Sequence, residues 1–314
     1  MHLFLDRLLA ASPLFVLIFA GYAIVRWGKW PRIVSEALTR FVFALALPAF
    51  LFFTMSDFSK LPAVDARLLL AFFGGALLVF VLGRIVAARV FRLDGVSASV
   101  FALGGIFSNN VMLGLPLAKA TLGDGAVPSV ALVLVFNSLT LWTLVTVSVE
   151  WARHGEFSVH GFAKTACSVI TNPIVAAIVS GTLYGLTGWP LPSLIASPLE
   201  MVGNSATPMA LVVLGMGLAE YSVREGIAQS LTICLVKLLV LPVVVWGLAL
   251  MLGLPKMETQ VVVLLSSMAM GVNVYLMSRQ FNALEGPTAA ALVLSTVLAA
   301  ITTPIMLTLI ALAG

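Results

Sequence analysis

Long apolar runs separated by short polar connections organise this chain. Runs able to span a bilayer, each about 20 residues, lie near 8–27, 35–55, 67–90, 97–119, 127–150, 165–187, 197–219, 227–252, 258–279 and 287–312. They predict ten transmembrane helices and an all-α integral membrane fold. The first run, Leu8 to Val25, exceeds the apolar core of a secretory signal peptide, about 7–15 residues, and reads as a spanning helix. The longest hydrophilic stretch, about 151–164, reads as a loop, so no separate soluble domain is expected.

The fourth run contains Ser108-Asn109-Asn110-Val111-Met112-Leu113-Gly114-Leu115-Pro116, which sets two carboxamides, a glycine and a proline in an otherwise apolar span. We read it as a helix broken in mid-membrane, with Gly114 and Pro116 at the break. Backbone groups freed at that depth cost several kcal/mol each against lipid, so the irregularity is tolerated only against protein or a wet cavity. The stretch is therefore a candidate binding site.

Internal repetition locates its partner. A shift of 160 residues lays Pro13 on Pro173, Gly21 on Gly181, Gly28 on Gly188 and Pro48 on Pro208. Two repeats of five helices follow, 1–160 and 161–314, and an odd helix count makes the second cross with opposite polarity. Inverted repeats whose interrupted helices meet near the midplane are a recurring transporter architecture. The same shift sets Asn109 to Pro116 opposite Ala269 to Leu276, so helices 4 and 9 should cross at their breaks. In helix 9, Met270, Gly271 and Asn273 loosen the helix, but no proline stands there. Pro48 and Pro208 read as a matched pair of kinks.

Composition fits this picture: 61% of residues are hydrophobic, 10% are charged, and the mean hydropathy is +1.12. The excess of +4 in basic residues is a topology signal rather than a nucleic-acid footprint. Eleven Lys and Arg fall on the side reached after odd-numbered helices and five on the other, which predicts cytoplasmic odd connections and both termini outside. Cys167 and Cys234 form no metal or disulfide spacing, and His2, His154 and His160 read as solvated; no metal or cofactor is expected.

A carboxylate entering a low-dielectric cavity loses hydration that directed donors must replace. Half-helix N-termini and freed N–H groups do this without a buried protein charge. Asn109, Asn110 and Asn273 add amide donors, with Ser108 and Gly271 beside them, and these read as substrate-binding. Their bland alternative is interhelical hydrogen bonding, about 0.6 kcal/mol each. Asn137 divides between lining the site and packing. Lys237 lies about ten residues from either end of its span, roughly 15 Å from water. It reads either as a substrate or coupling charge or as a donor to carbonyls that Pro242 frees.

Asn109-Asn110 with Gly114-Leu115-Pro116, Leu47-Pro48 with Thr207-Pro208 at its repeat mate, and Asn273-Val274-Tyr275 together resemble the auxin efflux carrier family, in the bacterial branch related to plant PIN-type exporters. The segment Val272 to Phe281 is most similar to its malonate carrier subgroup. The resemblance spans essentially the whole chain. It implies a scaffold domain, about 8–55 and 165–219, often used for homodimerisation, and a mobile transport domain, about 67–150 and 227–312. It also implies that helices 4 and 9 unwind at proline-containing motifs. Pro116 matches the first; Met268-Ala269-Met270-Gly271 stands where the second is expected, so the Asn109-Asn110 side should be the better-ordered half.

The expected function is secondary transport of small mono- or dicarboxylates, malonate-like favoured, across the inner membrane by alternating access, the bilayer and the substrate being the partners. A sodium- or proton-linked exchanger or symporter of the same fold is the alternative, against which the lack of a mid-span Asp or Glu counts. Without GxSxG, HExxH or paired mid-membrane aspartates, no enzyme is expected.

Overall fold

The protein is described by a computed structural model covering residues 2–56, 64–154, 173–221 and 226–313. The repeat boundary at 160/161, with Asp57, Lys60, His160, Lys164, Cys167 and Arg224, lies outside the described residues. The described chain is helical, with a lone β-bridge. In order it forms α1 (His2–Arg26), α2 (Arg32–Ser56), α3 (Arg67–Arg89) and α4 (Gly95–Gly104). Next come α5 (a π turn Asn110–Gly114 running into Leu115–Leu122), α6 (Val127–His154), α7 (Pro173–Leu186) and α8 (Ser193–Leu218). The chain ends with α9 (Ile227–Met251), α10 (Lys256–Ser266), α11 (Val272–Phe281) and α12 (Glu285–Ala313).

Helices α2, α3, α8, α9 and α12 are long and apolar enough to cross a membrane. In α3 the buried face carries Leu68, Phe72, Val79 and Phe80, while the exposed face carries Leu70, Leu77, Leu78, Val81 and Ile85. A helix apolar all round needs an apolar solvent on its outer face, and lipid supplies it. Its backbone bonds are satisfied internally, which is why helices can stand there.

Two packing groups recur in the contacts. Helix α1 runs along α8, and α2 packs on α7 and α8; α3 packs on α4 and α9, and α9 on α10 and α12. In the first group the backbones touch. A Cβ on Gly215 would stand 1.8 Å from the Ile18 carbonyl oxygen, and one on Gly21 2.0 Å from that of Val212. Small residues permit such close crossings between membrane helices.

Prolines follow π turns at three places. Val42–Ala46, Asn110–Gly114 and Val236–Val240 each end just before a Leu-Pro, at Pro48, Pro116 and Pro242. The ring excludes the carbonyl four residues back, and a wider turn relieves that clash. Pro208 instead sits inside continuous α8, so the repeat mates Pro48 and Pro208 are accommodated differently.

Asp94 caps α4 by accepting from the N–H groups of Val96 and Ser97 at 3.3 and 3.4 Å. Hydrogen bonding from the Ser97 side chain, and then from these N–H groups, holds its carboxyl below the usual 3.8. A lowered folded-state pKa gives stability that is present above the unfolded value and lost as pH falls through the folded one.

Two outcomes follow for thermal melting in detergent. Gly215→Ala should destabilise by about 1–3 kcal/mol, because the methyl must push α1 and α8 apart. Asp94→Ala should cost about 1 kcal/mol at neutral pH, and its difference from wild type should shrink below about pH 4.

Candidate functional site

The fourth span leaves helical geometry after Gly104 and resumes it at Asn110, so its interruption covers residues 105–109. The ninth ends α10 at Ser266 and starts α11 at Val272, leaving 267–271 between them. The interruptions are clasped to each other. Ser108 and Met270 form an antiparallel bridge, Asn109 N–H donates to the Ala269 carbonyl at 2.9 Å, and Gly271 N–H donates to the Phe107 carbonyl at 2.9 Å. Asn109 and Ala269 are a pair that the 160-residue shift superimposes.

Other helices serve the groups left over. Met270 N–H donates to Ser295 Oγ at 3.0 Å, the Ser267 carbonyl accepts from Thr303 Oγ1 at 3.1 Å, and the Ser266 carbonyl accepts from Lys237 Nζ at 2.5 Å. Lys237 is fully buried, and the carbonyl it meets closes α10 rather than being one that Pro242 frees. A cation at a helix C-terminus complements the dipole there. Ser295 and Thr303 were not singled out from the sequence, where their signal was polar side chains within the tenth apolar run.

The structure moves two expected break residues. Gly114 lies in the π turn and Pro116 in the first turn of the helix that follows, so neither is at the interruption. Pro116 is tolerated there because the π turn before it, in which Leu115 N–H donates to the Asn110 carbonyl, widens the helix where the ring would otherwise clash. Met270 and Gly271 do lie in the ninth-span interruption, Gly271 as the extended N-cap of α11.

The carboxamides divide between two places. Asn109 Oδ1 accepts from Met112 N–H at 3.3 Å, and Asn110 Nδ2 approaches Asn137 Oδ1 at 3.5 Å. Ser108, Asn109, Asn110 and Asn137 are all buried. Ser108 Oγ, Asn109 Nδ2 and Asn110 Oδ1 have no partner. Unsatisfied buried polar atoms are rare in native proteins, and three on consecutive residues mark a place for ligand or water.

Asn273 instead faces a cavity of about 530 Å³ between α2 and α8 on one side and α5 and α11 on the other. Met112, Val272, Thr39, Arg40 and Tyr221 share its wall, with Arg32, Glu36 and Glu220. Asn109, Asn110 and Asn137 are not on that wall. Burial pushes the Tyr221 hydroxyl up to about 12, so it stays a neutral donor, and its ring meets that of Tyr275 at 4.7 Å. Arg40 and Tyr221 also escaped the sequence reading, because distant helices bring them to Asn273.

Ser295→Ala leaves Met270 N–H without a partner where no water competes. It should lower stability by about 1–3 kcal/mol, the desolvation cost of an orphaned group rather than the smaller net worth of a bond. Chemical denaturation in detergent measures it.

Residues 8–307 match the family described as "Membrane transport protein". A curated relative named "Putative malonate transporter", from Rhizobium meliloti (strain 1021), is 26% identical over 301 residues, covering 95% of this chain and 94% of that protein. With a match across nearly its whole length, the chain belongs to this membrane transport protein family, the auxin efflux carrier family that its broken-helix motifs resemble.

Proposed function

We propose that this membrane transport protein is a secondary transporter of small organic anions, mono- or dicarboxylates of the malonate kind, that works by alternating access with substrate bound at the crossing of the broken helices. The observation that carries the reading is the cluster of unpartnered Ser108, Asn109 and Asn110 atoms at two clasped helix breaks. Backbone N–H groups at the α11 start and the carboxamides give donors for a carboxylate without a protein carboxylate to repel it. The similarity to a protein named as a malonate transporter supports the substrate class.

In this reading the chain has ten spans in two inverted five-helix repeats, in the cell inner membrane with both termini outside. Helices α1, α2, α7 and α8 form the scaffold, through which two copies pair, and the remaining helices move as the transport unit. The close backbone contact of α1 with α8 suits a rigid scaffold. The cavity beside Asn273 is lined at one end by Arg32, the first residue of α2, and Glu220, just after α8, beside the α1–α2 and α8–α9 connections that the charge bias assigns to the cytoplasm. The state described is then inward-facing. An anion moved across 100 mV gains or loses about 2.3 kcal/mol per charge, enough to drive transport without a second ion.

Purified protein in liposomes should take up labelled malonate, and Asn110→Ala and Asn273→Ala should each slow uptake at least tenfold while keeping the wild-type melting temperature. Undiminished rates in both variants would place the site elsewhere. Uptake that requires a sodium or pH gradient would instead favour the cation-coupled exchanger.

A further inference from the structure

Among the charged residues on the cavity wall, Arg40 stands apart. Arg32 is held by Glu36 at 2.9 Å and Glu220 at 3.5 Å, so the two carboxylates and one guanidinium at the mouth occupy one another. Arg40 has no ion pair or side-chain hydrogen bond among the described residues, although it is exposed to the cavity. It lies eight residues further along α2 than Arg32, about 12 Å deeper at the helical rise. A charge at such depth is costly unless water or a counter-ion meets it, and it marks a substrate path by default.

The opposite wall carries Asn273, in the first turn of α11. Gly271 caps that helix without a side-chain hydrogen bond, and Val272 and Asn273 of its first turn line the cavity. One space thus has a guanidinium fork on α2 and a helix N-terminus with a carboxamide on α11. A fork of this kind matches a carboxylate in two parallel hydrogen bonds. A monocarboxylate has use for only one of the two ends.

We infer that Arg40 is the specificity residue that reads the second carboxylate of a dicarboxylate whose first is held at the α11 start. The inference rests on the carboxylate-transport reading above. Arg40 and Asn273 line the same cavity from α2 and α11, so in this assignment each carboxylate of a dicarboxylate has its own partner, whereas a monocarboxylate engages the α11 side alone.

Initial uptake rates of labelled malonate and labelled acetate, measured against concentration in liposomes holding wild type, Arg40→Gln or Arg40→Lys, test this. Arg40→Gln should raise the KM for malonate at least tenfold and change acetate kinetics less than twofold. Arg40→Lys should fall between, keeping the charge but losing the fork. Equal slowing of both substrates, or malonate kinetics untouched in Arg40→Gln, overturns the assignment. A wild type that carries acetate but not malonate overturns it while leaving the carboxylate reading standing; a wild type that carries neither overturns both.

Discussion

Every main-chain polar group within the hydrocarbon needs a partner, and the clasp between residues 107–109 and 269–271 is the arrangement that lets two helices break there together. Either break alone would expose N–H and carbonyl groups to an environment with no water to replace them. Placed side by side and antiparallel, they satisfy each other as two edges of a minimal sheet do. The fold around them follows from that need: α9 and α12 must pass close enough to deliver Lys237, Ser295 and Thr303 to the second break.

What the clasp leaves over is as informative as what it binds. The backbone is paired, yet Ser108, Asn109 and Asn110 keep side-chain atoms without partners. A purely structural crossing would have no use for the atoms left over, since unsatisfied buried polar atoms cost free energy. The atoms left over after Asn109 Oδ1 has capped its turn, Ser108 Oγ, Asn109 Nδ2 and Asn110 Oδ1, are the physical argument for a ligand. Asn273 on the cavity wall and the buried Asn110–Asn137 contact are two depths of one crossing: one open to the cavity, the other sealed from it.

Much of this was legible in the chain. Apolar runs gave the helices, because in lipid a helix is the simplest way to pair a backbone. The 160-residue offset pointed to the partner of the first break, and Asn109 and Ala269, which it superimposes, are hydrogen-bonded. The position of the first break was less legible. Gly114 and Pro116 look like helix breakers by residue type, but the helix opens upstream, at 105–109, and a π turn accommodates the proline within α5. Arg40 was hidden for another reason: in sequence it is one more basic residue near a helix end, and only the fold shows it on the cavity wall, without an ion pair among the described residues.

The missing proline in the ninth span now has a physical account. A proline breaks a helix by removing a donor and displacing a carbonyl. The ninth span reaches the same end by supplying competing partners: Ser295 takes the Met270 N–H, Thr303 and Lys237 take the Ser267 and Ser266 carbonyls, and Phe107 takes the Gly271 N–H. These four groups, which an unbroken helix would have paired internally, are paired outside instead. The ninth-span break is tied to three other elements, whereas Asn109 caps its own turn and leaves its Nδ2 free. One half of the crossing is anchored and the other carries the unpartnered polar atoms, a division that, in the proposed transport reading, leaves those atoms for a substrate without the break itself having to be remade.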